Sequence, residues 1–226
     1  MEELRRSDYP QERIQRLFSG VPFFNEVLRA DQQQFDLLMD RCGLLSAQPG
    51  EVVIREGESD HSLYFLLRGQ LAVMAPGGGA EGEEEERRVL NHISPGEVLG
   101  MLSMLRGTPR TATLQVDASG GEAILARLHF DDFSNAQDFS VFSMETQLAF
   151  YRMVVHNIRW TLEVNRMQDP MHALVGELRK VPLYTGPRGT GEELQALNDQ
   201  AHALADLLCR WNEYSSAPED ARGTAD

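Results

Sequence analysis

Six short β-rich runs between residues 51 and 128, separated by glycine-containing turns, constrain the fold of this chain more than any other feature. Glycine tolerates the backbone conformations that tight turns require. Many short strands with such turns are typical of an antiparallel sandwich or roll, and this is the core that the sequence predicts. The runs are Val52–Ile54, Leu63–Leu67, Leu71–Met74, Val89–Ile93, Thr111–Val116 and Ala123–Leu128.

One turn in this region has the residues expected of a phosphate-binding site. Gly100 precedes a short segment, Met101–Leu105, that can form a helical turn whose first backbone N–H groups are free to bind a phosphate. Arg110 follows Pro109, and its planar guanidinium matches two phosphate oxygens at once. A glycine loop with a surface arginine has the same short pattern, so the interpretation depends on how far the match extends along the chain.

The match is long. Leu99–Met104 and Pro109–Thr113 resemble the phosphate-binding cassette of the cyclic-nucleotide-binding domain family, and the likeness continues upstream through Pro49–Glu58 and Leu63–Val73. Val21–Phe24 resembles the family's N-terminal segment. The resemblance implies an α+β fold, in which an eight-stranded antiparallel β-roll of jelly-roll type is flanked by helices. A long dimerisation helix and a short helical C-terminal extension would follow.

The resemblance also implies a function. It points to a regulatory sensor similar to the bacterial cAMP receptor protein but without its DNA-binding winged helix, and not to an enzyme. The ligand would be cAMP or another cyclic nucleotide, with no other cofactor. Thr161 would contact the base, and an exposed helix threonine is the alternative. Carried onto this sequence, the ligand-binding residues are Gly100, Met101, Leu102, Ser103, Arg110, Thr111 and Thr161.

Met101 is the main departure from the family pattern. The family has a glutamate there that accepts a hydrogen bond from the ribose 2′-hydroxyl, whereas a thioether is a weak, uncharged acceptor. Loss of a hydrogen bond to a charged group costs about 1.5 to 3 kcal/mol. Three outcomes stay open: weak binding of an ordinary cyclic nucleotide, binding of a different phosphate ligand, or a pocket partly closed by methionine.

A long helix is predicted after the roll. Seven apolar residues alternate by three and four positions, and Pro170 ends the pattern. A stripe this narrow favours a partner helix, although it could also lie against its own roll, and the family resemblance favours a homodimer. The residues of the stripe are Val141, Met144, Leu148, Tyr151, Val155, Ile158 and Leu162.

The C-terminal region does not have the character of a DNA-binding domain. Residues 171–226 carry five cationic and nine anionic side chains, and no basic recognition helix can be drawn there. The sequence predicts a short helix over Met171–Lys180, a loop over Pro182–Gly191 and a helix from Glu192 to about Tyr214. The last helix has its own stripe, which would pack on the long helix or on a partner's copy, or dock an effector protein. That stripe comprises Leu194, Leu197, Ala201, Leu204, Leu208 and Trp211.

Composition agrees with a cytoplasmic regulatory protein. The net charge of −14 disfavours binding to DNA or RNA, and no stretch of about 18 apolar residues predicts a membrane span. Cys42 and Cys209 lack a partner motif, which fits a reducing compartment. The histidines lack metal-ligand spacing, and no catalytic motif is present.

These patterns divide the chain into five segments. Glu2–Leu17 is predicted to be a surface helix, Asp31 to cap a second one, and the acidic run Glu81–Glu86 to be a solvated hairpin tip. The predicted segments are an N-terminal helix (1–20), the β-roll with its leading helices (21–137), the long helix (138–169), the helical extension (170–214) and a disordered tail (215–226).

Overall fold

The computed structural model describes residues 1–75 and 89–216 and divides into two compact units, Met1–Asn135 and Ala136–Asp226. The acidic run Glu81–Glu86 lies outside the described residues, as does the predicted tail from residue 217 onward. Residues 215 and 216, predicted to begin that tail, belong to the last helix instead.

The first unit contains two antiparallel sheets. One has the strand order β1-β2-β9-β4-β7 and the other the order β3-β8-β5-β6. Strands β2 to β9 are the eight strands of the predicted roll, and β1 is an additional strand that pairs with β2. The α+β fold with an antiparallel roll is therefore confirmed. The strands are β1 Glu2–Leu4, β2 Gly43–Ala47, β3 Val52–Ile54, β4 Ser62–Arg68, β5 Leu71–Met74, β6 Val89–Ile93, β7 Val98–Leu99, β8 Thr113–Val116 and β9 Ala123–His129.

The described residues of this unit also form four α-helices: α1 (Gln11–Phe18), α2 (Pro22–Ala30), α3 (Gln32–Arg41) and α4 (Met101–Arg106). The prediction of a helix over Glu2–Leu17 is wrong for its first part, where β1 and a 3-10 turn precede α1. Pro10 occupies the N-cap position of α1, because a proline in the interior would break the helix. The residues of β1 pair with β2 and so belong to the sheet.

The predicted cap of α3 is confirmed. The Asp31 carboxylate accepts hydrogen bonds from the backbone N–H groups of Gln33 and Gln34, at 2.7 and 3.2 Å. Two of the four N–H groups that a helix start leaves unpaired are satisfied in this way.

Aromatic rings join the leading helices to the first sheet. Phe24 of α2 lies edge-on to Phe18 of α1 and to Phe65 of β4, with ring centroids 4.7 and 4.9 Å apart. Phe23 stacks on the other side of the cluster against Phe65, at 5.9 Å. Such pairs favour edge-to-face or offset geometries, so this cluster fixes the helices on strand β4, whose N-terminal end carries part of the candidate site.

The second unit is helical, with α5 over Met144–Gln168, α6 over Val175–Leu178 and α7 over Gly191–Ser216. Helix α5 ends two residues before Pro170, as predicted. Only four residues of the predicted helix Met171–Lys180 are helical, because a turn that contains His172 precedes α6. The six-residue stripe of α7 is buried and α7 packs against α5, which confirms the interpretation that this stripe packs within the chain.

Five of the seven residues of the stripe predicted as a dimer seam are buried within the single chain, whereas Val141, which precedes α5, and Met144 are half-buried. Leu148, Tyr151, Ile158 and Leu162 are each at most 1% exposed. The stripe is therefore not a free surface in this structure, because an apolar face that is already covered gains nothing further from a partner. Dimerisation stays a prediction that requires another surface or an opening of the α5–α7 packing.

An ion pair links α5 to the start of α7. The Arg152 guanidinium donates to both carboxylate oxygens of Glu193 at 2.8 to 2.9 Å, and the Glu193 side chain is only 7% exposed. Glu193 also accepts from the Gly189 N–H at 2.6 Å, and its own N–H donates to Thr190 Oγ1 at 3.1 Å. The arrangement is a form of capping box, and it couples the cap of α7 to the packing of the two helices.

Candidate nucleotide-binding site

The candidate site begins where β7 turns into α4. Gly100 has a φ of 87° and occupies the N-cap position of α4, and Ser103 Oγ donates back to its carbonyl at 3.3 Å. A Cβ atom at Gly100 would lie 2.2 Å from Arg110 Nη1, so the guanidinium would have to move away from its present partners. Both the backbone conformation and the close approach of Arg110 therefore require glycine at this position.

Arg110 is the centre of the site and is only 4% exposed. Its Nη1 donates to the Gly100 carbonyl at 3.2 Å and to Ser103 Oγ at 3.0 Å. Its Nη2 donates to Asp60 Oδ2 at 2.8 Å and to the Ser62 carbonyl at 2.6 Å. Nε is buried and has no hydrogen-bond partner in the part of the chain that the structure describes. Nε is therefore the guanidinium nitrogen that has no acceptor among the described residues.

The β3–β4 loop also holds the backbone of Arg110. The Arg110 N–H donates to the Glu58 carbonyl and the Gly57 N–H donates to the Arg110 carbonyl, each at 2.9 Å. Strand β8 begins at Thr113 and not at Thr111, where it was predicted, because the two residues after Arg110 form a bend. Arg110 is fixed by the same loop region at its backbone and at its side chain.

Asp60 binds the guanidinium directly, and Tyr64 supports Asp60. Tyr64 Oη donates to Asp60 Oδ2 at 2.9 Å. Burial alone would raise the pKa of Asp60, but hydrogen bonds from Arg110, Ser62 and Tyr64 hold it below its ordinary value. Burial and the Asp60 charge raise the pKa of Tyr64 to about 12. Asp60 is therefore a carboxylate at neutral pH and neutralises part of the Arg110 charge.

The predicted site residues occupy two separate places in the chain. Gly100, Ser103 and Arg110 are in mutual contact, and half-buried Met101 and Leu102 form the first turn of α4 beside them. Thr111 follows Arg110 and is exposed. Thr161 lies in the second unit, on α5, where it is exposed and its hydroxyl donates to the Asn157 carbonyl at 3.0 Å.

The sequence analysis missed three partners of Arg110, namely Asp60, Ser62 and Tyr64. They precede it by 46 to 50 positions, and the loop that carries Asp60 has no periodic pattern that would place it. The one available signal was chemical. An arginine inside a binding site often has a carboxylate partner, and Asp60 lies three residues before the predicted strand Leu63–Leu67.

The interior of the roll next to this site is apolar. Side chains from both sheets form one buried cluster, which leaves the polar groups of the site at the end of β4 and around α4. The members include Leu45, Val53, Ile54, Tyr64, Leu66, Leu71, Ile93, Leu99, Leu114, Val116 and Leu125. Among the described residues there is no group of three or more side chains suited to a metal ion, and no helix has the length and hydropathy needed to cross a membrane.

Comparison with known proteins relates this chain to several regulatory and enzymatic proteins. It is 31% identical over 211 residues to patatin-like phospholipase domain-containing protein 6 of Mus musculus, an alignment that covers 83% of this chain and 15% of that protein. It is 37% identical over 70 residues to acetyltransferase Pat of Mycolicibacterium smegmatis, covering 31% of this chain and 19% of that protein. The chain thus spans about 15% of the length of the first of these relatives.

Among solved structures, the regulatory domain of Toxoplasma gondii PKA with cAMP has a TM-score of 0.49 and 22% sequence identity, covering 76% of this chain and 58% of that one. The family profile described as "Cyclic nucleotide-binding domain" matches residues 44–136. This range contains Gly100, Arg110 and Asp60. Residues 44–136 therefore match the family model of the cyclic nucleotide-binding domain.

Proposed function

We propose that the first unit binds a cyclic nucleotide, cAMP in the first instance, and that Arg110 holds its phosphate. The observation that carries this proposal is the unpartnered Nε of Arg110, a donor buried in a residue that is only 4% exposed. Buried polar groups almost always have hydrogen-bond partners, so a buried donor without one supports the view that a bound ligand provides the acceptor. The charge-assisted hydrogen bond to a phosphate oxygen would satisfy it.

The remaining site residues give the ligand its orientation. The backbone N–H groups of Met101, Leu102 and Ser103 would face the phosphate beside Arg110, and the Met101 side chain would line the sugar site. Thr111 is adjacent to Arg110, and a base contact from Thr161 stays a prediction. Because Met101 offers no anionic acceptor to a 2′-hydroxyl, binding would be weaker than with a glutamate in its place.

The proposed role is regulatory and cytoplasmic, with no catalytic step. A ligand acts as a signal only if it binds two conformations of a protein with different affinities. Signalling would pass from the first unit to a protein partner through the long helix and the C-terminal helices, with a homodimer as the expected assembly. DNA is not a proposed partner, because the C-terminal region is acidic.

A second candidate function is a protein-interaction scaffold that retains the roll but binds no nucleotide. Specific observations favour it: Met101 replaces the family glutamate, and Asp60 already neutralises part of the Arg110 charge at 2.8 Å. In this case the roll would serve only to position the helices for an effector.

Replacing Met101 with glutamate is expected to raise affinity for cAMP about tenfold to a hundredfold, because it supplies the charged acceptor for the 2′-hydroxyl. Isothermal titration calorimetry of wild type and M101E with cAMP and cyclic GMP measures the change. M101L is the matched control, since it keeps an apolar side chain and should leave affinity unchanged. Absence of binding by both wild type and M101E at millimolar nucleotide would contradict the sensor and favour the scaffold.

A further inference from the structure

His172 occupies an unusual position in the second unit, between the end of α5 and the C-terminal part of α7. It is only 6% exposed and its ring stacks on Trp211 of α7, with centroids 3.8 Å apart and planes inclined by 12°. Its ring also lies edge-on to Tyr214, at 4.6 Å and 77°. The imidazole thus contacts two aromatic side chains near the C-terminal end of α7.

The hydrogen bonds of His172 define its protonation state. Its Nδ1 accepts from the Leu174 backbone N–H at 3.2 Å, so Nδ1 carries no proton and the proton of the neutral ring is on Nε2. Nε2 is buried and has no hydrogen-bond partner among the residues that the structure describes. The neutral ring is therefore well matched to this position, apart from one N–H group that has no acceptor.

Protonation would remove that match. A protonated Nδ1 becomes a donor and can no longer accept from Leu174, so two donors would face each other. The charge would also be buried with no acceptor at either nitrogen. Stacking on Trp211 would give a cation some attraction to the indole ring, but it provides no acceptor for either N–H group.

The charged groups around the His172 ring do not reverse its preference for the neutral form. Burial lowers the pKa of His172 below its ordinary value of 6.5, and the negative charge of Asp169, in the preceding turn, only partly offsets the effect. On α7, Arg210 and Glu213 next to Trp211 and Tyr214 are exposed. Arg210 is paired with Glu177 of α6 at 2.6 Å.

We propose that His172 is a pH-sensitive latch, which holds the turn from His172 to Leu174 on the end of α7 when neutral and releases it when protonated. The sign follows from linkage. The unfolded or released turn binds a proton at a higher pH than the docked turn does, so the docked form is fully favoured above about pH 6.5. The greater stability of the docked form is lost as the pH falls below about 6.5 and through the lower pKa of the docked histidine.

Trp211 provides a direct readout of the latch. With Trp160 replaced by phenylalanine, Trp211 is the remaining tryptophan, since the chain has two. Trp211 is 4% exposed in the docked form, so release is expected to shift its emission to the red as the pH is lowered from 7.5 to 5.5. The protection factor of the Leu174 amide against hydrogen exchange is expected to fall over the same range by up to about tenfold, a change of at most about 1.4 kcal/mol.

Substitution of His172 separates the latch from general acid effects. In H172N the side-chain oxygen can replace Nδ1 as an acceptor but does not titrate, so the emission shift and the loss of Leu174 protection should disappear. H172F, which keeps a ring against Trp211, is the second variant should H172N not fold. H202N is the control, because His202 is exposed on α7, and it should keep the wild-type pH response. A response that persists in H172N or H172F, or a Leu174 amide equally protected at both pH values, would overturn the proposal.

Discussion

Replacing Glu193 with glutamine is expected to destabilise the second unit by about 3 kcal/mol, because it removes a carboxylate charge that is only 7% exposed and pairs with Arg152. The Glu193 carboxylate receives three bonds from Arg152 and one from Gly189, so one residue supports both the α5–α7 contact and the loop before α7. Urea unfolding followed by tryptophan fluorescence measures the loss. Both tryptophans, Trp160 and Trp211, lie in this unit.

The matched control is E177Q. Glu177 pairs with Arg210 at 2.6 and 2.9 Å in similar bidentate geometry, but both side chains are about half exposed. Exposed pairs contribute about 0 to 1 kcal/mol, so this variant should unfold within that range of the wild type. Equal losses in E193Q and E177Q would contradict the view that burial of the Glu193 pair is what stabilises the helical unit.

The second large effect is expected at Gly100. Substitution by alanine places a Cβ atom 2.2 Å from Arg110 Nη1 and forces alanine into a left-handed conformation at a φ of 87°. The conformational cost is about 1 to 2 kcal/mol and overpacking adds about 1 to 3 kcal/mol, so a loss near 3 kcal/mol is expected for the first unit. Because Arg110 must move, nucleotide affinity should fall as well.

Gly107, at the other end of α4, separates the effect of the left-handed backbone conformation from that of the contact with Arg110. Its φ of 61° is also left-handed, but a Cβ atom there would meet nothing within 4 Å. G107A should therefore lose only about 1 to 2 kcal/mol and keep its nucleotide affinity. Differential scanning calorimetry of both variants gives the comparison, and G100A with a loss no larger than that of G107A would show that Arg110 does not pack against Gly100 as described.

Local patterns in the sequence were sufficient for the elements that depend on local chemistry. The Asp31 cap, the end of α5 before Pro170 and the buried stripe of α7 each follow from residues within a few positions of one another. Gly100 and Arg110 were also identified, because the cassette is a short continuous motif. What these features share is that no distant part of the chain is needed to explain them.

Features that depend on tertiary contacts could not be predicted in this way. The charged segment Glu2–Leu4 has the composition of a surface helix, yet its residues pair with residues of β2 that are 40 to 44 positions away. Asp60 becomes the partner of Arg110 across 50 positions. The α5 stripe correctly indicated an apolar face that needs to be covered, but it did not indicate which element covers it. In the structure, α7 of the same chain packs against α5. Periodicity indicates that an apolar face is buried and does not specify what covers it.

The central claim is that Arg110 Nε binds the phosphate of a cyclic nucleotide, and its own N–H signal tests this most directly. In two-dimensional ¹H–¹⁵N spectra of wild-type protein, the Nε–H resonance is assigned by its absence in R110K and followed during titration with cAMP. A saturable downfield shift of this resonance, as expected for a new charge-assisted hydrogen bond, is the predicted result. An Arg110 Nε–H resonance that stays in place up to millimolar cAMP would contradict the proposed site.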